Sequence, residues 1–435
     1  MYRESCLKSL LDNRRILIAG YGREGKSTHA MLQRLFPGRS FDVAHNNDEI
    51  VSMLSNATYD MIVKSPGIPT FVFEGLCDLK TLSSQTDLFL QVYGDKTTAV
   101  TGTKGKSTTA SLIYHLLSAL SDTPVVLAGN IGIPLFDVVD ALDDRPLIVA
   151  ELSCHQLENI HRGPHVAVLL NLFQEHLDHY HDYMGYKMAK MQIGLTQQAG
   201  DSFFYCSDNS ELSELVSRFS FESEARPYTV GDAVAYAGML AKARLSGNHN
   251  LSNLYVALRA VSATLQRPMP QGDDPAVAEV LSSFAPLEHR LELVGTYKGI
   301  TFYNDSISTI PAACMAAVTA LSNVDTLILG GFDRGIDYEP LTAFLRQSSV
   351  RNLVFVGAAG RRMLGLLGQV TDKDILIEDD YAKIVEWCFG RTRQGTVCLL
   401  SPAAASYDAF KNFEERGTSY KSLVRQFATT NSEIR

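Results

Sequence analysis

The sequence has 435 residues, of which 46% are hydrophobic and 20% are charged, and its formal net charge is −9. This length predicts about three domains, and the composition is that of an ordinary globular protein that can bury sizeable cores. Because the net charge is negative and no long basic run occurs, nucleic acid and anionic membrane surfaces are disfavoured as the main partner.

Features that the sequence lacks indicate its compartment. Residues 1–9 contain no apolar segment typical of a secretory signal, and no run of apolar residues is long enough to predict a membrane span. The seven cysteines are scattered, and none forms a Cys-x-x-Cys pair. We therefore expect a reduced, cytoplasmic compartment, in which the cysteines are small buried apolar residues.

Apolar strand runs followed by glycine-rich or polar turns occur in three parts of the chain. Helical stretches to Leu35 and from Ser107 to Leu120 follow the first two of them. Because buried parallel strands read as continuous apolar runs, this alternation predicts an α/β fold with βαβ units and parallel sheets. Domain boundaries are predicted near residues 93 and 292. The strand runs are Arg15–Gly20, Thr97–Gly102, Thr326–Gly331, Leu353–Gly357 and Val397–Ser401.

The segment Thr101-Gly-Thr-Lys-Gly-Lys-Ser-Thr108 lies between a predicted strand and a predicted helix, as a phosphate-binding loop requires. Its glycines let backbone N–H groups approach phosphates, and the helix N-terminus adds a positive dipole end. Lys106 can reach the β- and γ-phosphates, and Ser107 can bind Mg²⁺. The strict pattern has glycine where this chain has Val100. The alternative is a glycine turn with an incidental Gly-Lys-Ser, but the strand–turn–helix context favours the phosphate loop.

A second glycine loop, Gly20-Tyr-Gly22-Arg-Glu-Gly25, follows the first predicted strand. A nicotinamide dinucleotide site also needs an acidic residue at the end of the second strand. That strand is predicted to begin at Phe41 and to end at His45-Asn-Asn47, which carries no acid. Nicotinamide binding is therefore disfavoured. Binding of another diphosphate such as UDP, or a tight turn that only packs strand against helix, stays open.

Acidic side chains follow two further predicted strands. Glu151 comes directly after the run Leu147–Ala150, and Gln174-Glu-His-Leu-Asp178 follows the run Val166–Asn171. The carboxyl ends of parallel strands form the sites of α/β proteins, and Mg²⁺ beside a nucleotide takes carboxylate ligands. His176, flanked by acids, is interpreted as a metal or phosphate ligand. Spacing alone marks nothing special at Lys190.

Taken together, these motifs resemble the Mur ligase family over almost the whole chain. The resemblance rests on an ordered series of motifs, which is more specific than any single one. Beyond the segments above, the series comprises Ser65-Pro-Gly-Ile68, Gly129-Asn-Ile-Gly132, Gly247-Asn-His-Asn250 with Asn253, His289-Arg290, Asn304-Asp-Ser306, Gly330-Gly-Phe-Asp-Arg-Gly335, and Ser401-Pro-Ala-Ala-Ala-Ser406 running to Lys411-Asn-Phe413.

The resemblance implies an ATP-dependent amide ligase of peptidoglycan precursor synthesis. Such an enzyme would join D-glutamate to UDP-N-acetylmuramoyl-L-alanine by way of an acyl phosphate. The family fold implies a Rossmann-like domain over residues 1–93 for the UDP substrate, a P-loop ATPase-like parallel-sheet domain over 94–292, and a Rossmann-like domain over 293–435 for glutamate. The implied cofactors are ATP and two Mg²⁺ ions, and we expect a monomer.

The resemblance also implies roles for individual residues. The ATP-binding residues would be Gly102, Thr103, Lys104, Gly105, Lys106, Ser107, Thr108, Asn250, Asn253, Arg290 and Asp305. The substrate-binding residues would be Gly22, Ser65, Gly67 and Asn130 for the nucleotide sugar, and Thr309, Arg334, Ser406 and Phe413 for glutamate. The metal ligands would be Ser107, Glu151, His176 and Lys190, the last as a carbamate. The catalytic residues would be Lys106, His176, Lys190 and Arg290.

Two departures from the family pattern concern the acceptor amino acid. Glutamate-adding members commonly have a lysine where this chain has Ile307, and often a lysine where it has Arg334. An arginine can still bind a carboxylate through two hydrogen bonds. Because these two positions depart from the pattern, ligation of L-glutamate stays an alternative. A folylpolyglutamate-type ligase and a nicotinamide oxidoreductase are less favoured, because the first lacks a UDP-type domain and the second leaves the phosphate loop unexplained.

Overall fold

The computed structural model describes residues 2–130, 133–141, 146–174, 179–245, 247–284, 288–321 and 323–430. It forms two compact units, Met1–Ala285 and Pro286–Arg435. Three predominantly parallel sheets lie in these units, two in the first and one in the second. The α/β fold class is confirmed. The boundary predicted near residue 93 falls inside the first unit, and both domain boundaries stay predictions.

The first sheet is parallel throughout and has the order β2-β1-β3-β4. Its two inner strands are completely buried, which explains their continuous apolar sequence. Their carboxyl ends lie side by side, so the turns that follow them are neighbours. The strands are β1 (Ile16–Ala19), β2 (Asp42–Ala44), β3 (Met61–Lys64) and β4 (Leu82–Ser83), and the helices are α1 (Tyr2–Leu11), α2 (Arg23–Leu35), α3 (Asn47–Asn56) and α4 (Gln85–Tyr93).

The central sheet is also parallel, with the order β10-β9-β8-β5-β7-β6. Its strands are β5 (Thr97–Thr101), β6 (Val125–Gly129), β7 (Leu147–Glu151), β8 (Val166–Leu169), β9 (Ser202–Cys206) and β10 (Glu224–Tyr228). Its helices are α5 (Lys106–Leu120), α6 (Cys154–Leu157), α7 (Tyr183–Leu195), α8 (Ser210–Ser217), α9 (Val230–Ala233), α10 (Ala237–Lys242), α11 (Asn248–Leu265) and α12 (Pro275–Ser282). Because β5 lies between β7 and β8, the loop after β5 is surrounded by the exits of both neighbours.

The sheet of the second unit has the order β11-β12-β16-β13-β14-β15, and only β11 is antiparallel to its neighbour. The strands are β11 (Glu292–Tyr297), β12 (Ile300–Asn304), β13 (Val324–Gly330), β14 (Asn352–Val356), β15 (Asp374–Ile377) and β16 (Val397–Leu400). The helices are α13 (Pro311–Leu321), α14 (Glu339–Gln347), α15 (Gly357–Leu367), α16 (Tyr381–Arg391) and α17 (Phe413–Thr430).

In the described part of the chain, no helix is both long enough and apolar enough to cross a membrane.

Candidate active site

The predicted phosphate loop leaves the middle of the central sheet and leads into α5. A Cβ added at Gly102, where φ is +148°, would lie 2.9 Å from Leu170 Cβ. Gly105 is the N-cap of α5 and has φ of +88°, and a Cβ there would lie 2.8 Å from Asn253 Oδ1. Both positions therefore need glycine. The first turn of α5 has backbone N–H groups without helical partners, which suits an anion.

The Lys106 side chain folds back over this loop. Its Nζ donates to the carbonyl oxygens of Gly102 and Thr103, each at 3.0 Å. Lys190 on α7 is buried, and its Nζ donates to the same Gly102 oxygen at 2.9 Å. The Lys106 and Lys190 side chains thus meet at one carbonyl oxygen of the loop that the sequence predicts to bind phosphates.

Side chains from β8 and α7 fix the conformation of the loop. Asn171 Oδ1 accepts from Lys104 N at 2.8 Å, and its Nδ2 donates to Lys104 O at 3.0 Å. The Tyr186 and Thr103 hydroxyls lie 2.7 Å apart. No role was predicted for Asn171 or Tyr186 from the sequence. Two features could have indicated one: Asn171 is an amide directly after a strand, and Tyr186 lies four residues before Lys190, on the same face of a helix.

Glu151 is the last residue of β7 and is 2% exposed. Its Oε1 accepts from Asn130 Nδ2 at 2.7 Å, so the structure brings these two predicted site residues together. Its Oε2 is buried and has no hydrogen-bond partner within the described part of the chain. A buried carboxylate oxygen without a partner costs free energy. This oxygen therefore suits a bound cation, and the buried Ser107 in the first turn of α5 could supply a hydroxyl ligand.

His176 lies outside the described residues, as do its neighbours within 175–178. In the ranges that are described, no group of three or more His, Cys, Asp or Glu side chains could hold a metal ion by itself. A cation at Glu151 would therefore take further ligands of other kinds, such as the Ser107 hydroxyl and phosphate oxygens.

The start of α11 adjoins the phosphate loop. Asn250 and Asn253, the residues predicted to border adenine, lie in its first two turns, and Asn253 Nδ2 is 3.4 Å from Asn250 Oδ1. Asn253 is buried, and its Oδ1 is the atom that a side chain at Gly105 would meet. This part of the predicted ATP site is therefore assembled in the first unit.

Two turns are predicted to bind the UDP substrate, which donates the carboxylate in the implied reaction, and they are called the donor turns below. They lie at the carboxyl ends of β1 and β3. Ser65 Oγ donates to Gly20 O at 2.8 Å, which joins the glycine loop to the Ser65 turn. Gly22 is the N-cap of α2, and a Cβ at Gly25 would lie only 2.0 Å from Gly20 O. Gly67 is exposed in the turn after Ser65. The structure thus brings the two predicted UDP segments together.

Asp305 lies directly after β12 in the second unit and is 2% exposed. Ser401 Oγ donates to its Oδ2 at 2.7 Å, and Leu291 N donates to its Oδ1 at 3.1 Å. Burial raises the pKa of Asp305 to about 6, although these hydrogen bonds and the Arg290 charge oppose the shift. Arg290 itself is exposed. A carboxyl group whose pKa is raised this far is found more often at functional sites than elsewhere.

The predicted glutamate-binding residues occupy two places in the second unit. Arg334 donates through its guanidinium to Thr309 O at 2.8 Å, so these two residues are in contact. Ser406 is buried after β16, and Phe413 begins α17. Phe413 O accepts from Ser306 Oγ at 2.8 Å, which ties the start of α17 to the turn that carries Asp305.

The chain is similar to known ligases over its full length. The Mur ligase middle domain matches residues 100–261. A UDP-N-acetylmuramoylalanine–D-glutamate ligase of Desulfitobacterium hafniense strain DSM 10664 / DCB-2 is 32% identical, covering 96% of this chain and 98% of the relative. Its namesake from strain Y51 is 35% identical over 84% of each chain. The chain belongs to the Mur ligase family.

This ligase therefore uses ATP, and the nicotinamide oxidoreductase alternative is wrong. The fold is also that of a solved relative. The MurF ligase from Thermotoga maritima in complex with ADP superposes with a TM-score of 0.54 at 16% identity, covering 95% of both chains. At that identity the likeness concerns the fold alone, and it agrees with the three sheets found here.

Proposed function

We propose that this ligase joins D-glutamate to UDP-N-acetylmuramoyl-L-alanine in peptidoglycan precursor synthesis. The observation that carries the proposal is similarity across the whole chain to enzymes named for that reaction, at 32% and 35% identity. The site supports it, because a phosphate loop, a buried carboxylate with an available oxygen and a pair of glycine-rich donor turns all lie in the first unit.

The first step is transfer of the γ-phosphoryl group of ATP to the alanine carboxylate. A carboxylate oxygen forms a bond to phosphorus while the bond to the β-phosphate oxygen breaks, and ADP leaves. Both reactants are anionic, so their repulsion must be offset. Lys106 would hold the phosphates, while Asn130, fixed by Glu151, would orient the donor next to them.

The second step is attack of the glutamate amine on the acyl phosphate. A C–N bond forms, the C–O bond to phosphate breaks, and the ammonium formed on nitrogen loses a proton. Glutamate has two carboxylates, so its site needs donors at both ends. The Arg334 guanidinium would bind one carboxylate and the Ser406 hydroxyl the other, with Thr309 and Phe413 beside them.

Mg²⁺ fits the donor atoms at Glu151. We infer that Ser107, Glu151, His176 and a carbamylated Lys190 would hold up to two ions. Bound Mg²⁺ would supply positive charge that reduces the repulsion between carboxylate and triphosphate. A lysine ammonium would repel the metal, whereas a carbamate, formed from the free amine and CO₂ with loss of a proton, is an anionic oxygen ligand. ¹³C-NMR of enzyme equilibrated with ¹³CO₂ tests this modification, and the absence of a carbamate signal in active enzyme would contradict it.

The function is tested by ADP release across a panel of donors and amino acids. We expect release to require UDP-N-acetylmuramoyl-L-alanine and glutamate together, with a new amide in the product by mass spectrometry. UDP-N-acetylmuramate without alanine and a folate substrate serve as the mismatched donors. Faster turnover with either of them would overturn the proposed substrate.

A further inference from the structure

A buried polar cluster lies where the first sheet meets the central sheet of the first unit. Its centre is Glu158, which directly follows α6. Glu158 Oε2 accepts from Lys64 Nζ at 2.6 Å and from Thr70 Oγ1 at 3.1 Å, and Oε1 lies 2.8 Å from His179 Nε2. The side chains of Lys64, Glu158 and His179 are only 1%, 7% and 7% exposed. This cluster of four residues is called the Glu158 cluster below.

Each member of the Glu158 cluster adjoins a segment with a predicted ligand role. Lys64 is the last residue of β3 and precedes Ser65, and its Nζ also donates to Ile68 O at 2.7 Å, which closes the donor turn. Glu158 is seven residues after Glu151 in sequence, and His179 is three residues after His176. Glu158 therefore contacts Lys64 at the donor turn and His179, which is close in sequence to the predicted metal ligand His176. It also lies on the chain segment that follows the predicted metal ligand Glu151.

A second contact from α6 reaches the glycine loop. Gln156 Nε2 donates to Glu24 Oε1 at 2.7 Å, and Glu24 lies inside the loop between Gly22 and Gly25. The short helix α6 thus contacts both donor segments, the glycine loop through Gln156 and the Ser65 turn through Glu158. The sequence analysis attached no role to Lys64, Gln156 or Glu158.

The energetics favour a role in geometry over a role in stability. Burial lowers the pKa of Lys64, although attraction to Glu158 opposes the shift. Burial would raise the pKa of Glu158, but the hydrogen bonds from His179 and Lys64 outweigh it and the pKa is lowered. The Lys64–Glu158 pair is shielded from solvent, since its side chains are 1% and 7% exposed. Buried ion pairs of this kind are often no more stable than an apolar pair of similar size, whereas their directional bonds fix a geometry.

We propose that Glu158 is a positioning residue of the ligase. Together with Lys64 and His179 it sets the position of the donor turns relative to the phosphate loop, so that the donor carboxylate is placed in line with the γ-phosphate. The inference rests on the proposed function, because it concerns where the donor carboxylate lies. Misplacement of reacting groups by about 1 Å can cost ~10²-fold in rate.

Two kinds of variant test the role. Glu158→Gln keeps the size of the side chain and removes its charge. The double variant Lys64→Met with Glu158→Leu replaces the ion pair by apolar side chains and leaves no buried charge uncompensated. We expect both to lower kcat and to raise the KM for the donor, with a combined loss of ~10- to 100-fold in kcat/KM. The Kd of an ATP analogue should stay unchanged, since no member of the cluster contacts the phosphate loop in the described contacts.

A matched control lies in the same unit. Asp201 accepts from Arg162 at 2.6 Å and lies 2.9 Å from His165 Nδ1, which is also a carboxylate between a cation and a histidine. Asp201 lies next to the start of β9, at the opposite end of the sheet from the phosphate loop. Asp201→Asn should lower thermal stability and leave kcat and the KM for the donor unchanged.

The outcomes separate three possibilities. If the double variant is stable but loses ~10- to 100-fold in kcat/KM while the control keeps wild-type activity, the positioning role is supported. If the double variant recovers wild-type kcat and donor KM, or if Glu158→Gln lowers stability alone, Glu158 is merely structural and the inference is wrong. If the wild type shows no donor-dependent ADP release, the proposed function itself has failed, and that result is visible before any variant is made.

Discussion

Lys106 makes part of its contacts within its own loop. Its Nζ donates to carbonyl oxygens three and four residues away in sequence. A loss of activity on substitution reports on phosphate binding only where the variant stays folded, so thermal unfolding of the variant accompanies the activity assay.

Lys106→Ala should lower turnover by at least ~10²-fold, because a preorganised positive charge on the transferring phosphate is lost. Steady-state ADP release at saturating substrates measures the effect. The exposed Lys242 in α10 provides the comparison, and Lys242→Ala should have wild-type turnover. Near-normal turnover of Lys106→Ala would contradict the assignment of this loop.

The raised pKa of Asp305 makes the stability of the second unit depend on pH. Its pKa is about 6 in the folded unit against an ordinary value of 3.8, because it is buried. Between these two values the folded unit binds more protons than the unfolded chain, so this group's contribution to stability is lost as pH rises through the window. The loss is on the order of 3 kcal/mol, since each pKa unit corresponds to about 1.4 kcal/mol.

Asp305→Asn should therefore gain stability relative to the wild type as pH rises from about 4 to about 7, the range that spans the two pKa values. The asparagine keeps an oxygen for the Leu291 N–H and cannot ionise. Urea unfolding of both proteins across this range measures the difference. A difference that stays constant with pH would show that Asp305 is ionised in the fold.

Several site residues could be predicted from the sequence and others could not. Glu151 was predicted because its position after an apolar strand run places it at the carboxyl edge of a sheet. Asn171 follows a strand in the same way, yet its role depends on both sides of its amide bonding one residue of another loop. Such a contact requires β5 and β8 to be neighbours in the sheet. A single sequence does not reveal the order of strands in a sheet.

At the scale of elements, the turn from β5 into α5 depends on Gly105 as well as on Gly102. Gly105 combines a left-handed φ of +88° with close contact to Asn253. A non-glycine residue there would cost about 1–3 kcal/mol in backbone strain, and it would also displace the Asn253 side chain. The strain and the displacement can be told apart.

Gly105→Ala should weaken binding of an ATP analogue strongly, in addition to lowering thermal stability. Gly200 is the matched control, because its φ is +89° and a Cβ there would have no atom of the described structure within 4 Å. Gly200→Ala should lose a similar amount of stability and keep wild-type nucleotide affinity. Equal effects of the two variants on nucleotide affinity would mean that contact with Asn253 is irrelevant.

Elements with a strong pattern were predicted correctly, and elements without one were missed. The buried strands β1, β5, β13, β14 and β16 coincide with the predicted apolar runs to within a few residues. The hairpin of β11 and β12 was not predicted, because β11 is only partly buried and has no apolar run. Its two-residue turn, Lys298-Gly299, has φ of +51° and +77°, which allows the tight reversal.

At the scale of the molecule, the implied roles are divided between the two units. Lys106 and Glu151 belong to the first unit, and Asp305 and Arg334 belong to the second. We therefore expect activation of the donor and selection of the acceptor to rest on different parts of the chain. Substitutions in the second unit can change which amino acid is added while the phosphate loop stays intact.

We expect residues of the second unit to determine the handedness of the glutamate that is added. The resemblance makes Thr309, Arg334, Ser406 and Phe413 the expected contacts of D-glutamate, so we predict faster amide formation with D-glutamate than with L-glutamate at equal concentration. Ile307, half-buried between Asp305 and Thr309, cannot donate a hydrogen bond where a lysine is common. If Ile307 only removes a peripheral charge, Ile307→Lys should lower the KM for D-glutamate and keep the preference. Faster reaction of the wild type with L-glutamate would overturn the stereochemical assignment, and it would leave the ATP-dependent ligation itself in place.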